Sequence, residues 1–325
     1  QLVEAHDVSP DGGWIAFDSR RRNQHDIYRM PMEGGSSQLV ADVESDAYEP
    51  DWSPDGTEIA FYSFAGQILV VPADGGNPEV IADFPGFEGG ASWSPDGEYL
   101  AFVMLVPDEN EPLAKPPAAP DGADWAPGAK VIESMPYRFD GAGYLETGHD
   151  HVFVVSAEGG TPRQLTGGNF DHRGPLAWTP DGERIIFSAN RLEDAEHHPV
   201  ESELWAITVA DGELEQLTDR RGPDRGAVVS PDGKRIAYLG FDDRQLAWQS
   251  SDVYVMDVET RETRNLTVEF DRDVTDVQWA GSSTRLLIQY EDLGRTHIGG
   301  LAMNGKVASL TGDVGGTTIG RPYNS

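Results

Sequence analysis

Short apolar runs recur along the chain in a fixed order, separated by polar turns. Each round starts with one apolar residue directly before a turn: Val8, Trp52, Trp93, Trp178, Val229 and Trp279. The turns open at Ser9, Ser53, Ser94, Thr179, Ser230 and Ala280. The first five read Ser/Thr-Pro-Asp-Gly, and the sixth, Ala-Gly-Ser-Ser, is degenerate. Six residues after each opening comes an apolar triplet: Ile15-Ala16-Phe17, Ile59-Ala60-Phe61, Leu100-Ala101-Phe102, Ile185-Ile186-Phe187, Ile236-Ala237-Tyr238 and Leu286-Leu287-Ile288. A second run follows, such as Ile27-Tyr28, Val152-Phe153-Val154 or Val253-Tyr254-Val255. Next comes a Gly-rich turn such as Gly34-Gly35, Gly75-Gly76 or Gly159-Gly160. Each round closes on an apolar pair such as Leu165-Thr166, Leu217-Thr218, Leu266-Thr267 or Leu310-Thr311.

The pattern predicts four short strands per round, bounded by turns at intervals of about 8–12 residues, hence an all-β chain. Pro-Asp-Gly suits a tight reversal: Pro presets φ, Asp bonds back to its own turn, and Gly accepts positive φ. The triplets are continuous rather than alternating, which predicts strands buried on both faces. An isolated four-stranded sheet cannot bury both faces, whereas blades stacked around an axis can. The expected fold is therefore a β-propeller of six four-stranded blades. The blades fall at about 1–48, 49–89, 90–174, 175–226, 227–276 and 277–325, with an insertion at 107–150 in the third. The fixed place of Trp before the turn reads as wedge packing between blades rather than a stacking platform for a ligand. The Asp of each turn is explained by turn chemistry rather than metal binding.

Antiparallel order puts the Ser-Pro-Asp-Gly and Gly-Gly turns on one propeller face and the connections between second and third strands on the other. Those connections differ in length. Six residues separate Phe61 from Ile68, 16 separate Phe187 from Leu204, 14 separate Tyr238 from Val253, and 49 separate Phe102 from Val152. Long loops on a rigid scaffold are where binding sites concentrate. The 49-residue connection passes through a Pro-rich stretch and then offers a hairpin with Asp140-Gly141 at its turn. Tyr137, Arg138 and Tyr144 of this hairpin are the candidate contact residues. A guanidinium between aromatics suits a carboxylate or a peptide; packing of the same aromatics onto the rim is the competing reading.

Composition narrows the function. The 325 residues carry 56 Asp and Glu against 24 Lys and Arg, a net charge of −32, which argues against nucleic acid or an anionic membrane as partner. The acidity is spread along the chain, as in a surface adapted to salt. With no Cys there is no disulfide, thiolate metal site or Cys nucleophile. No apolar run reaches the ~18 residues of a membrane span. The chain opens on Gln rather than Met, implying a processed or trimmed N-terminus. The compartment stays open, with the periplasm or the exterior favoured over the cytoplasm.

No Gly-x-Ser-x-Gly elbow occurs, and Gly90-Ala91-Ser92-Trp93-Ser94 lacks the final Gly. His149-Asp150-His151 and His197-His198 each supply only two imidazoles, too few for zinc. Asp271, Asp273 and Asp276 lack the Gly and closing Glu of a calcium loop. No catalytic residue, metal or cofactor is therefore expected in this chain.

The repeat Trp-Ser-Pro-Asp-Gly-x-x-Ile-Ala-Phe, followed by Asp-Ile-Tyr and Gly-Gly, resembles that of TolB and its relatives. A more specific set is similar to the propeller of acylaminoacyl-peptidase-like members of the prolyl oligopeptidase family. It comprises Lys130-Val131-Ile132, Tyr137 through Tyr144, Pro175-Leu176-Ala177-Trp178, Ser188-Ala189-Asn190-Arg191, Ala237 through Asp243, Asp271-Arg272-Asp273-Val274 and Gly320-Arg321-Pro322-Tyr323. That resemblance implies a serine peptidase whose propeller, six of seven blades being present here, filters and orients peptides for a C-terminal α/β-hydrolase domain. No triad residue can be carried onto this chain. The first repeat, with Asp26-Ile27-Tyr28-Arg29-Met30-Pro31, is closer to the TolB type. This keeps open a free-standing scaffold that binds partner proteins.

Overall fold

A computed structural model of the chain describes residues 6–21, 23–84, 89–108, 122, 132, 134–140 and 143–311. Six four-stranded antiparallel sheets follow one another along it. Blade one is β1 (His6–Val8), β2 (Trp14–Arg20), β3 (His25–Pro31) and β4 (Gln38–Ala41). Blade two is β5 (Ala47–Trp52), β6 (Glu58–Ser63), β7 (Gln67–Pro72) and β8 (Glu79–Asp83). Blade three pairs β9 (Ala91–Trp93) and β10 (Tyr99–Pro107) with β13 (Gly148–Ser156) and β14 (Arg163–Gln164). Between them a separate two-stranded ribbon is formed by β11 (Arg138–Phe139) and β12 (Gly143–Tyr144). Blade four is β15 (His172–Trp178), β16 (Arg184–Ala189), β17 (Glu203–Thr208) and β18 (Leu214–Gln216). Blade five is β19 (Asp224–Val229), β20 (Arg235–Gly240), β21 (Asp252–Asp257) and β22 (Thr263–Asn265). Blade six is β23 (Val274–Trp279), β24 (Arg285–Asp292), β25 (Arg295–Ala302) and β26 (Val307–Ser309). The one helical turn among the described residues is a 3-10 segment, Ala195–His197.

The apolar triplets alternate between neighbouring interfaces. Ile59 and Phe61 pack against Ile27 and Val40 of blade one, whereas Ala60, between them, packs in the cluster with Trp93 and Phe102 of blade three. Ile185 and Phe187 face Val152 and Val154, while Ile186 faces Ile236 and Tyr238. Leu286 and Ile288 close onto Val253 and Val255. The second strands of blades two to five thus have two buried faces because each has a blade on either side.

Polar contacts repeat with the same step. In five turns the Ser or Thr hydroxyl donates to the Asp two residues on, at 2.5–2.8 Å from Ser9 to Asp11 through Ser230 to Asp232. The same oxygen accepts the N–H five residues on, as Ser9 does from Trp14 at 2.9 Å. These hydroxyl and backbone donors hold the five turn carboxyls below the usual range. The turn glycines have φ near +70°, and Gly56 and Gly233 lie against the Pro of the preceding blade's turn. The pre-turn indoles are wedges with a direction. Trp93 donates its Nε1–H to the Asp51 carbonyl, Trp178 to Ser92 and Trp279 to Val228, at 3.1, 3.2 and 3.1 Å. In every case the donor lies on the later blade.

The Thr of the closing Leu-Thr pairs has a role that its apolar partner obscures in sequence. Thr166, Thr218, Thr267 and Thr311 each accept, at 2.9 Å, an N–H of the third strand, from Val152, Leu204, Val253 and Ile298. The fourth strand ends there, and the hydroxyl takes the place of its next carbonyl.

Candidate functional site

Strand direction places the turns on one face, here the turn face, and the second-to-third connections on the other, the loop face. In blade three β10 and β13 stay paired from Tyr99↔Ser156 to Pro107↔Gly148, so a two-stranded arm lifts the insertion off the rim. At its tip Arg138 pairs with Tyr144 across the ribbon, and Leu145 donates its N–H to the Tyr137 carbonyl at 3.0 Å. The Tyr137 and Tyr144 rings are 6.2 Å apart, and the Arg138 guanidinium lies 5.9 Å from the Tyr144 ring centre. The three predicted contact residues therefore form one exposed cluster. The ribbon is braced from blade four, where Glu196 Oε2 accepts the Met135 N–H at 3.2 Å. The Pro-rich stretch 109–121, Trp125, Lys130-Val131 and Gly320 through Tyr323 lie outside the described residues.

The second-to-third connections also end in exposed apolar side chains. These are Phe64 in blade two, Phe139 in blade three, Leu192 in blade four, Leu246 and Trp248 in blade five and Leu293 in blade six. Trp248 is 75 % exposed, unusual for the largest side chain.

Behind this surface sit two arginines that sequence reasoning did not single out. His172, at the loop-face end of β15 and fully buried, donates from Nδ1 to the Asp150 carbonyl at 2.9 Å. A carbonyl only accepts, so Nε2 is left as the acceptor, and it takes Arg191 Nη1 at 2.7 Å. Desolvation pushes the His172 pKa down to about 4, in keeping with a neutral ring. The Arg191 guanidinium lies 4.4 Å from the Phe170 ring centre and 5.2 Å from that of Trp205. Only Asn190-Arg191, in a motif that looked family-specific, marked this place in the sequence.

The second arginine, Arg220, bonds Asp224 through Nη2 and Asp242 through Nη1, the latter at 3.1 Å, and stacks on Tyr254 at 4.3 Å. Asp224 has no exposed surface, and desolvation pushes its pKa up to about 6 against the pull of Arg220. Gly240 opposite is obligatory, because a Cβ there would stand 2.3 Å from Arg220 Nη2 and from the Pro223 carbonyl. Glu203, also desolvated, is pushed up to about 8 and accepts the Thr218 hydroxyl at 2.5 Å.

The imidazoles considered for zinc are spoken for separately. His149 pairs with Asp171 at 3.2 Å, His151 meets the Thr166 hydroxyl at 3.2 Å, and His198 pairs with Asp194 at 3.3 Å. Asp273 accepts the Ser251 N–H, and Asp276 its own neighbour's. No group of three metal-binding side chains occurs among the described residues. The loop face offers guanidinium forks, aromatic faces and apolar tips, a chemistry of binding.

Fold and face define the class: this is an all-β, six-bladed propeller domain with a loop-bearing face. Residues 141–236, from the ribbon into the second strand of blade five, match the family described as the dipeptidyl peptidase IV N-terminal region. The chain is similar to Dipeptidyl-peptidase 5 of Porphyromonas gingivalis, with 27% identity over 296 residues, covering 85% of this chain and 42% of that protein. It thus spans less than half of that relative's length. Among solved structures, the uncomplexed acylaminoacyl peptidase of Pyrococcus horikoshii superposes with a TM-score of 0.70 at 17% identity, over 94% of this chain and 45% of that one. TolB from Acinetobacter baumannii superposes with 0.57, also at 17% identity, over 91% of this chain and 62% of that one. The two structural likenesses establish the fold alone.

Proposed function

We propose that this propeller screens and orients peptides for the α/β-hydrolase domain of a serine peptidase, with its loop face toward the substrate. The observation that carries the reading is the ribbon of blade three, which holds Tyr137, Arg138 and Tyr144 above that face. Its bracing by Glu196 fixes a guanidinium and two aromatic rings at the end of a paired arm, an arrangement suited to gripping a peptide. The apolar tips on the same face supply surface for the rest of a longer protein.

The test is Arg138→Met in the full-length protein that contains this domain. Arg138 is exposed and has no carboxylate partner among the described residues, so unfolding free energy should change by no more than about 0.5 kcal/mol. Catalytic efficiency toward peptides should fall. Several degrees lost in melting with turnover intact would assign the ribbon to structure.

A second reading, a free-standing scaffold for partner proteins, is favoured by the exposed Trp248 and by the TolB likeness. The reading frame downstream of Ser325 separates the two. A hydrolase domain with Gly-x-Ser-x-Gly decides for the peptidase, and a stop codon decides for the scaffold.

A further inference from the structure

In a chain with 56 acidic and 24 basic side chains, a guanidinium without a carboxylate requires an explanation. Arg191 is such a group: its one hydrogen bond to protein is to His172 Nε2, and no carboxylate pairs with it among the described residues. Carboxylates are at hand, but they are turned elsewhere. Asp150 is bonded to Arg173 at 3.1 Å, and Asp171 holds Arg173 at 2.8 Å and His149 at 3.2 Å. Arg220, on the next blade, has both Asp224 and Asp242.

The guanidinium is also held in place. Its Nη1 is fixed by a buried ring, itself pinned to the Asp150 carbonyl, and two aromatic walls, Phe170 and Trp205, define its surroundings. Trp205 is in turn tied to the Ala189 carbonyl at 3.3 Å through Nε1. Because the lone pair of His172 faces Arg191, the imidazole contributes no positive charge of its own. A pre-oriented fork with donors to spare, partly desolvated and walled by rings, has the form of a carboxylate receptor.

We propose that Arg191 receives a carboxylate of a peptide bound at the loop face, with Phe170 and Trp205 packing the apolar side chain next to it. The proposal rests on the peptide-orienting reading for the nature of the ligand, and on the unpaired guanidinium for the group recognised. A peptide carries such a group at its C-terminus or on an Asp or Glu side chain.

Calorimetric titration of the 325-residue chain with three synthetic peptides tests it: N-acetyl-Ala-Ala-Phe as free acid, the same peptide as C-terminal amide, and N-acetyl-Glu-Ala-Phe amide. The free acid should bind about tenfold more tightly than its amide. Arg191→Met should erase that difference, and Arg191→Lys, which keeps the charge without the fork, should restore only part of it. Recovery of affinity by the Glu-containing amide would assign the subsite to an acidic side chain; its failure would assign it to the C-terminus. Equal binding of acid and amide, no binding of either at millimolar concentration, or unchanged discrimination in Arg191→Met would each overturn the proposal. The acid–amide comparison is made on the wild-type chain, so it holds whether or not the variant folds. Discrimination here without peptide selection in the full-length protein would keep the Arg191 site and remove the filter. The reverse pair of results would remove Arg191 alone.

Discussion

The carboxyls of Asp7 and Asp51, on the first strands of blades one and two, lie side by side, and burial raises the pKa of both. Each also receives a backbone N–H from the next blade: Trp52 donates to Asp7 at 2.8 Å, and Trp93 donates to Asp51 at 2.9 Å. Two carboxyls in contact cannot both ionise cheaply, so the pair retains a proton.

Desolvation, reinforced by the charge of Asp7, pushes Asp51 up to about 8. The folded chain therefore keeps a proton that the unfolded chain has already lost. Across the window from the ordinary carboxylate range to about 8, stability falls as pH rises, by at most about 1.4 kcal/mol per pH unit. Asp51→Asn keeps an acceptor for Trp93 and a donor for Asp7 but cannot ionise. Urea unfolding across this window should give a flatter pH profile for the variant, and at its alkaline end the variant should be the more stable. Parallel profiles would show that Asp51 does not titrate there.

Thr267 presents a sharper structural demand. Its hydroxyl accepts the Val253 N–H at 2.9 Å and donates to Asp252 at 2.8 Å, and Val253 is fully buried. Thr267→Val keeps the shape and orphans that donor, so unfolding free energy should drop by about 1–3 kcal/mol. Thr267→Ser should recover most of it. A loss under about 0.5 kcal/mol in denaturant titration would mean that water reaches the N–H.

Arg220→Met removes the partner of a carboxylate that has no exposed surface. Breaking one side of such a pair costs about 3–5 kcal/mol. Adding Asp224→Asn, which removes the stranded charge, should return part of that loss. If the double variant is no more stable than Arg220→Met alone, charge burial is not the cause.

At a net charge of −32 the chain repels itself. Between about 0.01 M and about 1 M salt the Debye length shrinks from about 30 Å to about 3 Å. Thermal scans in rising NaCl should therefore show a rising melting temperature. A flat or falling series would refute salt adaptation.

What the sequence revealed and what it hid differ by the range of the interaction. Ser9, Pro10, Asp11 and Gly12 build their turn from neighbours, so one repeat is enough to read it. The buried faces of Ile59, Ala60 and Phe61 were legible because burial on both sides leaves a run without polar interruption. Tyr137, Arg138 and Tyr144 could be grouped because a hairpin turn joins them. Arg191 could not, since it lies in the connection after β16 while its partner His172 lies on β15 and its walls, Phe170 and Trp205, lie in a different connection and on β17. Thr166 and its counterparts were visible as a repeated letter. Reading them as half of an apolar pair missed the hydroxyl, whose purpose appears only when the third strand is laid beside it.

The indoles of Trp93, Trp178 and Trp279 all reach back to a carbonyl on the preceding blade. Blade three, which holds both Trp93 and Ser92, thus carries a donor on one flank and an acceptor on the other, like a tile with matched edges. Duplicating such a unit within the gene would extend the series of contacts and orphan none of them. Deleting one would bring the same two edges together again. Propellers assembled from such units can therefore change their number of blades during evolution without redesigning an interface.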